Sequence, residues 1–433
     1  MKTLFKTFLL CFIFTSINAF SDYLVNDAAG NFVAIVDGTT NTVIGTVNDT
    51  AGPISGPVSI TVTPDQTTAF ILNRGNNTVS IVDLSTLAVT GLLNDAAGPV
   101  NFPNGMVITS DGTKGFITNE GNTTVSVVDI STQTVTGIVN DAAGPFVGPN
   151  FPAITPDNTI VFVPNDNNTV SIIDVATNTV TGLVNDVAGP FSGPVSIEIT
   201  PDGTTALVAN GIGNTVSVMN VGTQTVTGVI NDALGPFSRP LALSISPDGQ
   251  RALVPNNTNN TVSIIDIPTL AVTGLVNDPS STFNLPFKAL ISPDGTTAFI
   301  TNPGGGGPSV SIIDMATFSV IGVIDDSLSA FTQPLWIAYI PAPMADFTVT
   351  GKAGSDSFLT ETNHFVKLSW TSSSSETFKI YRDSKLVGTV KGQGPLKFTD
   401  NNLKSKKTYT YRVVALSSAG GSLAEGTLTI KAK

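Results

Sequence analysis

The sequence has almost none of the two residues that most often carry chemistry near neutral pH. It contains one cysteine, Cys11, and one histidine, His364. Histidine is the usual proton shuttle and a frequent ligand of transition metals, and cysteine supplies thiolates and disulfides. We therefore expect no disulfide, no thiol nucleophile, no copper, haem or typical zinc site, and no catalytic residue. A single histidine in such a chain is more often structural than catalytic.

Charged residues are also scarce, at 12% of the chain, and they are unevenly distributed. Residues 20–342 carry 25 acidic and 5 basic side chains, whereas residues 343–433 carry 7 acidic and 13 basic ones. The first segment lacks the clustered lysines and arginines that phosphate contacts need, so we expect it to bind no nucleic acid. The change of charge predicts a domain boundary at residue 342.

No apolar run is long enough to span a membrane. Residues 1–19, "MKTLFKTFLLCFIFTSINA", combine Lys2 and Lys6 with a short apolar run and a small residue, Ala19. This order is typical of a secretory signal peptide. We expect cleavage after Ala19 and a protein that is secreted, periplasmic or on the cell surface. Cys11 would leave with the peptide.

The most informative feature is an internal repeat. The segment "TVSIVD" at 78–83 returns with small changes through residues 20–342. The last residues of its copies are Asp37, Asp83, Asp129, Asp174, Asn220, Asp266 and Asp314, at spacings of 45 to 48. A period in the forties with several short strands is typical of propeller blades.

Four strands can be assigned within one unit. In residues 194–230 they are "PVSIEIT", "TTALVAN", "NTVSVMN" and "QTVTGVI", separated by turn residues. The first unit starts at "DYLVND", which corresponds to a second strand, and a spare first strand, "PLWIAYIP", occupies 334–341. We expect the spare strand to complete the first unit and close a ring of seven blades as one strand plus three.

The second strands carry a family resemblance. "AFILN" at 69, "ALVAN" at 206 and "AFITN" at 298, each followed by a "TVS" or "SVS" strand, resemble the YVTN type of propeller repeat, with phenylalanine or leucine in place of tyrosine. The resemblance covers residues 22 to 341. It implies an extracytoplasmic seven-bladed β-propeller and does not imply a ligand.

The last segment, residues 343–433, resembles a fibronectin type III domain, a β-sandwich. "VKLSW" at 366–370 provides a core tryptophan, Trp370, and Leu403 precedes Tyr409 by six residues. In that family this spacing forms a tyrosine corner, in which the phenol bonds back to the backbone. The resemblance implies a spacer or a second binding module.

An acidic link recurs between consecutive units, as "VNDAAGP" at 139–145. Its aspartates would stand in a ring on one face of the disc. They have two interpretations: an Asx-type turn, in which the side chain bonds to nearby backbone amides, or calcium sites, since calcium needs several oxygen ligands. The candidate calcium ligands are Asp95, Asp141, Asp186, Asp232 and Asp278.

The same links place an apolar residue three positions before a proline. These residues either tuck each link between blades or form a hydrophobic collar that contacts a partner. The phenylalanines among them are Phe146, Phe191, Phe237, Phe283 and Phe331. The second-to-third turns, which share that face, vary between units. They contribute Arg74, Glu120 and Asp166, and the link "FSRP" adds Arg239; surface variation or a ligand-recognition patch could explain these charges.

These patterns favour an exported, non-enzymatic binding or scaffold protein that presents one loop-rich propeller face to a protein or glycan. The alternative is a propeller-type hydrolase or lyase, similar to lactonases. Such enzymes gather His, Glu or Arg around the central channel, and the repeats offer just Glu120 and Glu198 with Arg74, Arg239 and Arg251.

The signal peptide can be tested by expressing the full chain in a bacterial host. We expect the exported protein to begin at Phe20, because Ala19 is the small residue that the peptidase requires. Intact mass measurement of the exported fraction checks this. Ala19→Trp should block processing, and an exported protein that retains residues 1–19 would contradict the assignment.

Overall fold

The computed structural model describes residues 22–340, 349–357, 362–383, 385–401, 403–416 and 422–432. The proposed signal peptide lies outside these residues. Every regular element that the structure describes is a β-strand, so this part of the chain offers no helix able to cross a bilayer. The architecture is all-β, as the composition predicts.

Residues 22–340 form seven four-stranded antiparallel sheets. First strands are β4 Pro57–Val62, β8 Pro103–Ile108, β12 Ala153–Ile154, β16 Pro194–Ile199, β20 Ser244–Ile245, β24 Ala289–Ile291 and β28 Pro334–Ile340. Second strands are β1 Asp22–Asp27, β5 Thr68–Asn73, β9 Lys114–Asn119, β13 Ile160–Asn165, β17 Thr205–Asn210, β21 Arg251–Asn256 and β25 Thr297–Asn302. Third strands are β2 Phe32–Asp37, β6 Thr78–Asp83, β10 Thr124–Asp129, β14 Thr169–Asp174, β18 Thr215–Asn220, β22 Thr261–Asp266 and β26 Ser309–Asp314. Fourth strands are β3 Thr42–Thr46, β7 Ala88–Leu92, β11 Thr134–Ile138, β15 Thr179–Leu183, β19 Thr225–Val229, β23 Ala271–Leu275 and β27 Ser319–Val323.

We number the sheets 1 to 7 in chain order of their third strands. Sheet 1 is assembled from both ends of the repeats, in the order β28-β1-β2-β3, with Leu24 opposite Ala338. This is the pairing expected for residues 334–341. In every sheet the register between third and fourth strands shifts at the same place, as at Val218/Met219 in sheet 5. The shared irregularity shows that the seven sheets are copies of one unit.

The core lies between consecutive sheets. Phe162 of sheet 4, for example, packs with Val208 and Met219 of sheet 5. Because neighbours cover both faces of each sheet, second and third strands are apolar almost continuously rather than in alternation. Sheet 7 packs on sheet 1 through Phe299 and Tyr23, whose rings are 4.4 Å apart. The series of contacts therefore closes on itself.

Backbone hydrogen bonds join the sheets at their outer strands. The amide of Val89 in sheet 2 donates to the carbonyl of Asn48 in the preceding link, at 2.7 Å. The same bond recurs around the ring and ends with the amide of Val43 in sheet 1 donating to Asp325, at 2.8 Å. Each link thereby covers the outer edge of the next sheet.

A buried amide–hydroxyl pair recurs in sheets 2 to 7. In sheet 5 the Asn210 side-chain amide donates to the Ser217 hydroxyl at 2.8 Å, and the Asn210 side-chain oxygen accepts from the amide of Ser192 at 3.3 Å. The equivalent pairs are Asn73/Ser80, Asn119/Ser126, Asn165/Ser171, Asn256/Ser263 and Asn302/Ser311. The pair ties each second strand to the third strand and the incoming link.

Sheet 1 replaces both members of this pair. Asp27 stands in the asparagine position and Ala34 in the serine position. The Asp27 carboxylate is fully buried and accepts from the amides of Gly30, Thr332 and Gln333 and from the Thr332 hydroxyl. Ala34 lacks the hydroxyl that accepts in the other sheets, and a side-chain amide here would point an N–H group at the amide donor of Gly30, whereas a carboxylate accepts from it. Asp27 therefore holds the link that precedes β28 against sheet 1.

Five further strands follow residues 22–340 and pair with one another: β29 Thr350–Ser357, β30 Thr362–Arg382, β31 Lys385–Asp400, β32 Thr408–Leu416 and β33 Ser422–Lys431. One edge of β30 changes partner along its length: residues 362–369 pair with β29, and residues 377–382 pair with β32, while β31 pairs with the other edge from Val366 to Arg382. Trp370 and Tyr411 are buried in a shared core. The Tyr409 hydroxyl accepts from the amide of Lys404 at 2.9 Å, which is the expected bond back to the backbone.

We predict that Asp27→Asn lowers the free energy of unfolding by about 1–3 kcal/mol, because the new side-chain amide would lose the bond from the Gly30 amide or face that donor in a fully buried position. Urea unfolding measures this change. Adding Ala34→Ser should restore part of the loss by rebuilding the pair found in the other sheets. Equal stability of Asp27→Asn and the native protein would contradict this role.

Candidate functional site

The links between sheets and the second-to-third turns lie on one face, which we call the link face. Backbone hydrogen bonds connect them directly: the amide of Arg74 donates to Gly56 at 3.0 Å, and that of Glu120 to Phe102 at 3.1 Å. The first-to-second and third-to-fourth turns lie at the other ends of the strands, on the opposite face. The predicted polar residues and acidic links therefore share one face, as expected from the strand order.

The structure brings Arg74 and Glu120 together in an ion pair across neighbouring sheets. The Arg74 guanidinium also lies over the Phe102 ring, 4.7 Å from its centroid. Asn104 donates to the same Glu120 carboxylate at 3.2 Å. Both charged side chains remain about one-third exposed. This group fixes Phe102 at the link face.

Asp166 and Arg239 have other partners. Asp166 accepts from the Asn150 side chain at 2.8 Å, and Arg239 donates to Asn257 at 3.2 Å. The four predicted charged residues thus form three separate local groups on the link face. The arrangement provides several anchoring points and no single charged cluster.

The phenylalanines of the links are buried. Phe146, Phe191, Phe237, Phe283 and Phe331 are each between 3% and 5% exposed. Each one joins an apolar cluster between two consecutive sheets, as Phe191 does between sheets 4 and 5. Their burial favours the first interpretation, in which they hold the links between sheets, over a collar that contacts a partner.

The link aspartates bind backbone amides. The Asp95 carboxylate accepts from the amide of Val100 at 2.9 Å, and the same bond over five residues recurs in each link. The equivalent acceptors are Asp49, Asp141, Asp186, Asp232, Asp278 and Asp326. These bonds follow the turn interpretation. Among the described residues there is no group of three or more His, Cys, Asp or Glu side chains that could hold a metal ion.

The aspartates of the opposite face also stabilise turns. The Asp202 carboxylate accepts from the hydroxyl and amide of Thr204 and from the Thr200 hydroxyl, and these bonds, the Thr200 hydroxyl first, lower the pKa of Asp202. Hydrogen bonds from turn residues also lower the pKa of aspartates in the first-to-second turns of other sheets and at the ends of third strands. They include Asp37, Asp83, Asp111, Asp129, Asp157, Asp174, Asp248, Asp266 and Asp314.

Sequence reasoning missed a group of side chains in the middle of the ring. Trp336 of sheet 1 stacks on Phe151 of sheet 4, with ring centroids 4.9 Å apart. Lys288 of sheet 7 lies 4.7 Å from the centre of the Trp336 ring, and its ammonium is 3.4 Å from Glu198 of sheet 5. Because these side chains come from sheets that are not all neighbours, they meet at the centre of the ring. A cavity of about 310 Å³ adjoins them.

A signal for this group exists in the sequence. Trp336, Phe151 and Lys288 all stand two residues after a link proline, where sheets 2, 3, 5 and 6 have a small residue. The small residues are Ser59, Gly105, Ser196 and Ala242. Large side chains occupy this position in three sheets and small ones in the other four. The large ones mark a place where the sequence is not explained by the repeated structure alone.

Comparisons with known proteins give the fold. No family model and no curated protein match the chain. Hydrazine synthase of Kuenenia stuttgartiensis is 24% identical over 60% of this chain and 77% of its own, with a TM-score of 0.51. A functionally unknown protein from Desulfotomaculum acetoxidans DSM 771 is 17% identical over 74% of this chain and 98% of its own, with a TM-score of 0.55. The chain has a β-propeller-like all-β fold. At these identities the likeness concerns the fold alone.

The turn aspartates predict a stability profile with pH. Their folded-state pKa values are lowered from 3.8, so their contribution is complete at neutral pH and is lost as pH falls through those values. Urea unfolding should show little change from these groups above about pH 5 and a decline below about pH 4. Asp202→Asn should make that acid decline shallower. A decline confined to neutral pH would contradict this prediction.

Proposed function

We propose that the chain is an exported, non-enzymatic binding or scaffold protein, with a signal peptide over residues 1–19. In this proposal residues 20–342 form a seven-bladed β-propeller of YVTN type, and residues 343–433 form a fibronectin type III-like sandwich. The propeller presents the link face to a protein or glycan partner, and the sandwich acts as a spacer or second contact.

Two sets of contacts support the architecture. For the propeller they are the pairing of Leu24 with Ala338 and the packing of sheet 7 on sheet 1. For the sandwich they are the change of partners along β30 and the bond between Tyr409 and the Lys404 amide. A strand shared by two sets of partners is the arrangement that two packed sheets require where one strand passes between them.

The observation that carries the function is the replacement of glycine by large, exposed side chains at strained positions of the link face. The residue before the link proline has positive φ in sheets 2 to 7, and in sheets 2, 4 and 5 it is glycine. Phe102, Arg239 and Leu285 occupy that position in the other three, with φ of 50°, 52° and 51°. A left-handed conformation costs a non-glycine residue about 1–2 kcal/mol, and glycine avoids this cost.

These three side chains are exposed: Phe102 contacts Arg74 and Arg239 bonds to Asn257, but a large part of each side chain remains in solvent. Phe102 is 47% exposed and Leu285 is 43% exposed. Strained residues that fold stability does not explain are concentrated at binding sites. Ile212, at 76% exposure in the second-to-third turn of sheet 5, adds another apolar side chain to the same face. Exposed apolar and arginine side chains favour a protein surface as the partner.

The proposal can be tested with Phe102→Gly/Leu285→Gly. We expect the free energy of unfolding to stay within about 1 kcal/mol, since relief of strain offsets the added freedom of the unfolded chain. The amount of partner that the immobilised protein, residues 20–433, retains should fall at least about tenfold, as expected when apolar side chains that contact the partner are removed.

Leu270→Gly is the matched control. Leu270 has φ of 52° and is 36% exposed, but it lies in a third-to-fourth turn on the opposite face. This variant should relieve the same strain and retain the partner fully. Equal retention by the Phe102/Leu285 variant, or loss only when residues 343–433 are removed, would overturn the proposed binding face.

A further inference from the structure

The cavity at the centre of the ring is separate from the link face. Its floor consists of residues at the position two after the link proline, including Phe151, Lys288 and Trp336. Its walls follow the first strands away from the links and reach Pro156 and Pro201, which begin first-to-second turns. The cavity therefore extends towards the face opposite the link face, and a ligand there would not compete with a partner on the link face.

The lining of the cavity includes one cationic and one anionic side chain. Among its lining residues, Lys288 and Glu198 alone are charged. The Lys288 side chain is 8% exposed, and a lysine this buried is rare unless it is firmly paired. Its ammonium is 3.4 Å from Glu198 and 3.2 Å from the carbonyl of Leu243, whereas charge-assisted hydrogen bonds are usually about 2.7–2.9 Å. The ammonium also lies over the Trp336 ring, so it has two hydrogen-bond acceptors and one aromatic partner, and its third N–H group is available to a ligand.

Glu198 complements this lysine. Its side chain is 38% exposed, and the structure gives just one of its carboxylate oxygens a partner within the described chain. The other oxygen is available for a donor from a ligand in the cavity. The buried Lys288 ammonium and the partly exposed Glu198 carboxylate thus lie close together. Each group can make a further polar contact with a ligand.

The charge of the whole ring selects among ligands. Residues 20–342 carry 25 acidic and 5 basic side chains, so their field repels a ligand with net negative charge. A ligand with net positive charge would meet the Lys288 ammonium beside its carboxylate. A ligand that carries both charges and is neutral overall satisfies both groups without either penalty.

The rest of the lining is apolar. Met106, Ile154 and Ile197 face the cavity with Phe151 and Pro152. A volume of about 310 Å³ is at the small end of ligand pockets, which bury most of the ligand surface against apolar walls. We propose that this cavity binds a free α-amino acid with an apolar side chain: its carboxylate pairs with Lys288, its ammonium with Glu198, and its side chain packs on the apolar wall.

Calorimetric titration of the protein, residues 20–433, tests this site with L-leucine, L-methionine and L-phenylalanine. At least one of them should bind. N-acetylation of the best ligand removes the ammonium, and amidation of its carboxyl group removes the anion; each change should weaken binding about tenfold or more, as loss of a charged partner does. Glycine, which lacks the apolar part, should bind more weakly as well.

Glu198→Gln/Lys288→Met is the decisive variant. It removes both charges together, which avoids leaving one buried charge unpaired and so preserves the fold. It should lose the preference for the free amino acid over its acetylated and amidated forms, while Glu120→Gln on the link face keeps native affinity. The proposal is overturned if none of the three amino acids binds, if blocked ligands bind equally well, or if the double variant retains full affinity.

Discussion

Burial of both faces of every sheet is the constraint on which the rest of the structure depends. The second and third strands are apolar on both sides, so each sheet needs two neighbours. A row of seven sheets would leave one apolar face uncovered at each end. The contact between sheets 7 and 1 covers both of these faces. Asp27 and the Asp325 carbonyl hold this seam at separate places, the first at the link face and the second at the outer strand.

The sequence was sufficient for local structure and for closure. Strand and turn residues repeat so regularly that the four strands of residues 194–230 are recovered almost to their ends as β16 to β19. The ion pair of Arg74 with Glu120 was also within reach. These residues stand one period apart at equivalent turns, and equivalent turns of neighbouring sheets lie side by side.

Contacts across the ring were beyond sequence reasoning. Glu198 and Lys288 are 90 residues apart, in sheets that are not neighbours and at different positions of the repeat. Equivalence between repeats shows which residues occupy similar places, but it does not show which side chains are long enough to meet at the centre. The exchange of Asn and Ser for Asp27 and Ala34 is visible in the sequence, but its meaning depends on the link at Thr332 being placed beside it.

The two ends of the ring differ in how they depart from the repeat. On the link face, Phe102, Arg239 and Leu285 replace glycine and accept an unfavourable backbone conformation. At the centre, Phe151, Lys288 and Trp336 replace small residues and fill space that the other sheets leave open. The first change acts on the surface and the second on the interior, so the repeat has been modified in two independent ways on one scaffold.

The position of β28 in the chain also determines when the ring can close. Its partner in sheet 1, β1, begins at Asp22, more than 300 residues earlier in the chain. Until the chain has been made as far as Ile340, sheet 1 lacks its inner strand and sheets 1 and 7 cannot complete their shared core. Until then, an apolar face stays uncovered at each end of the row of sheets. Among residues 22–340, closure of the ring is therefore the last step that the order of the chain allows.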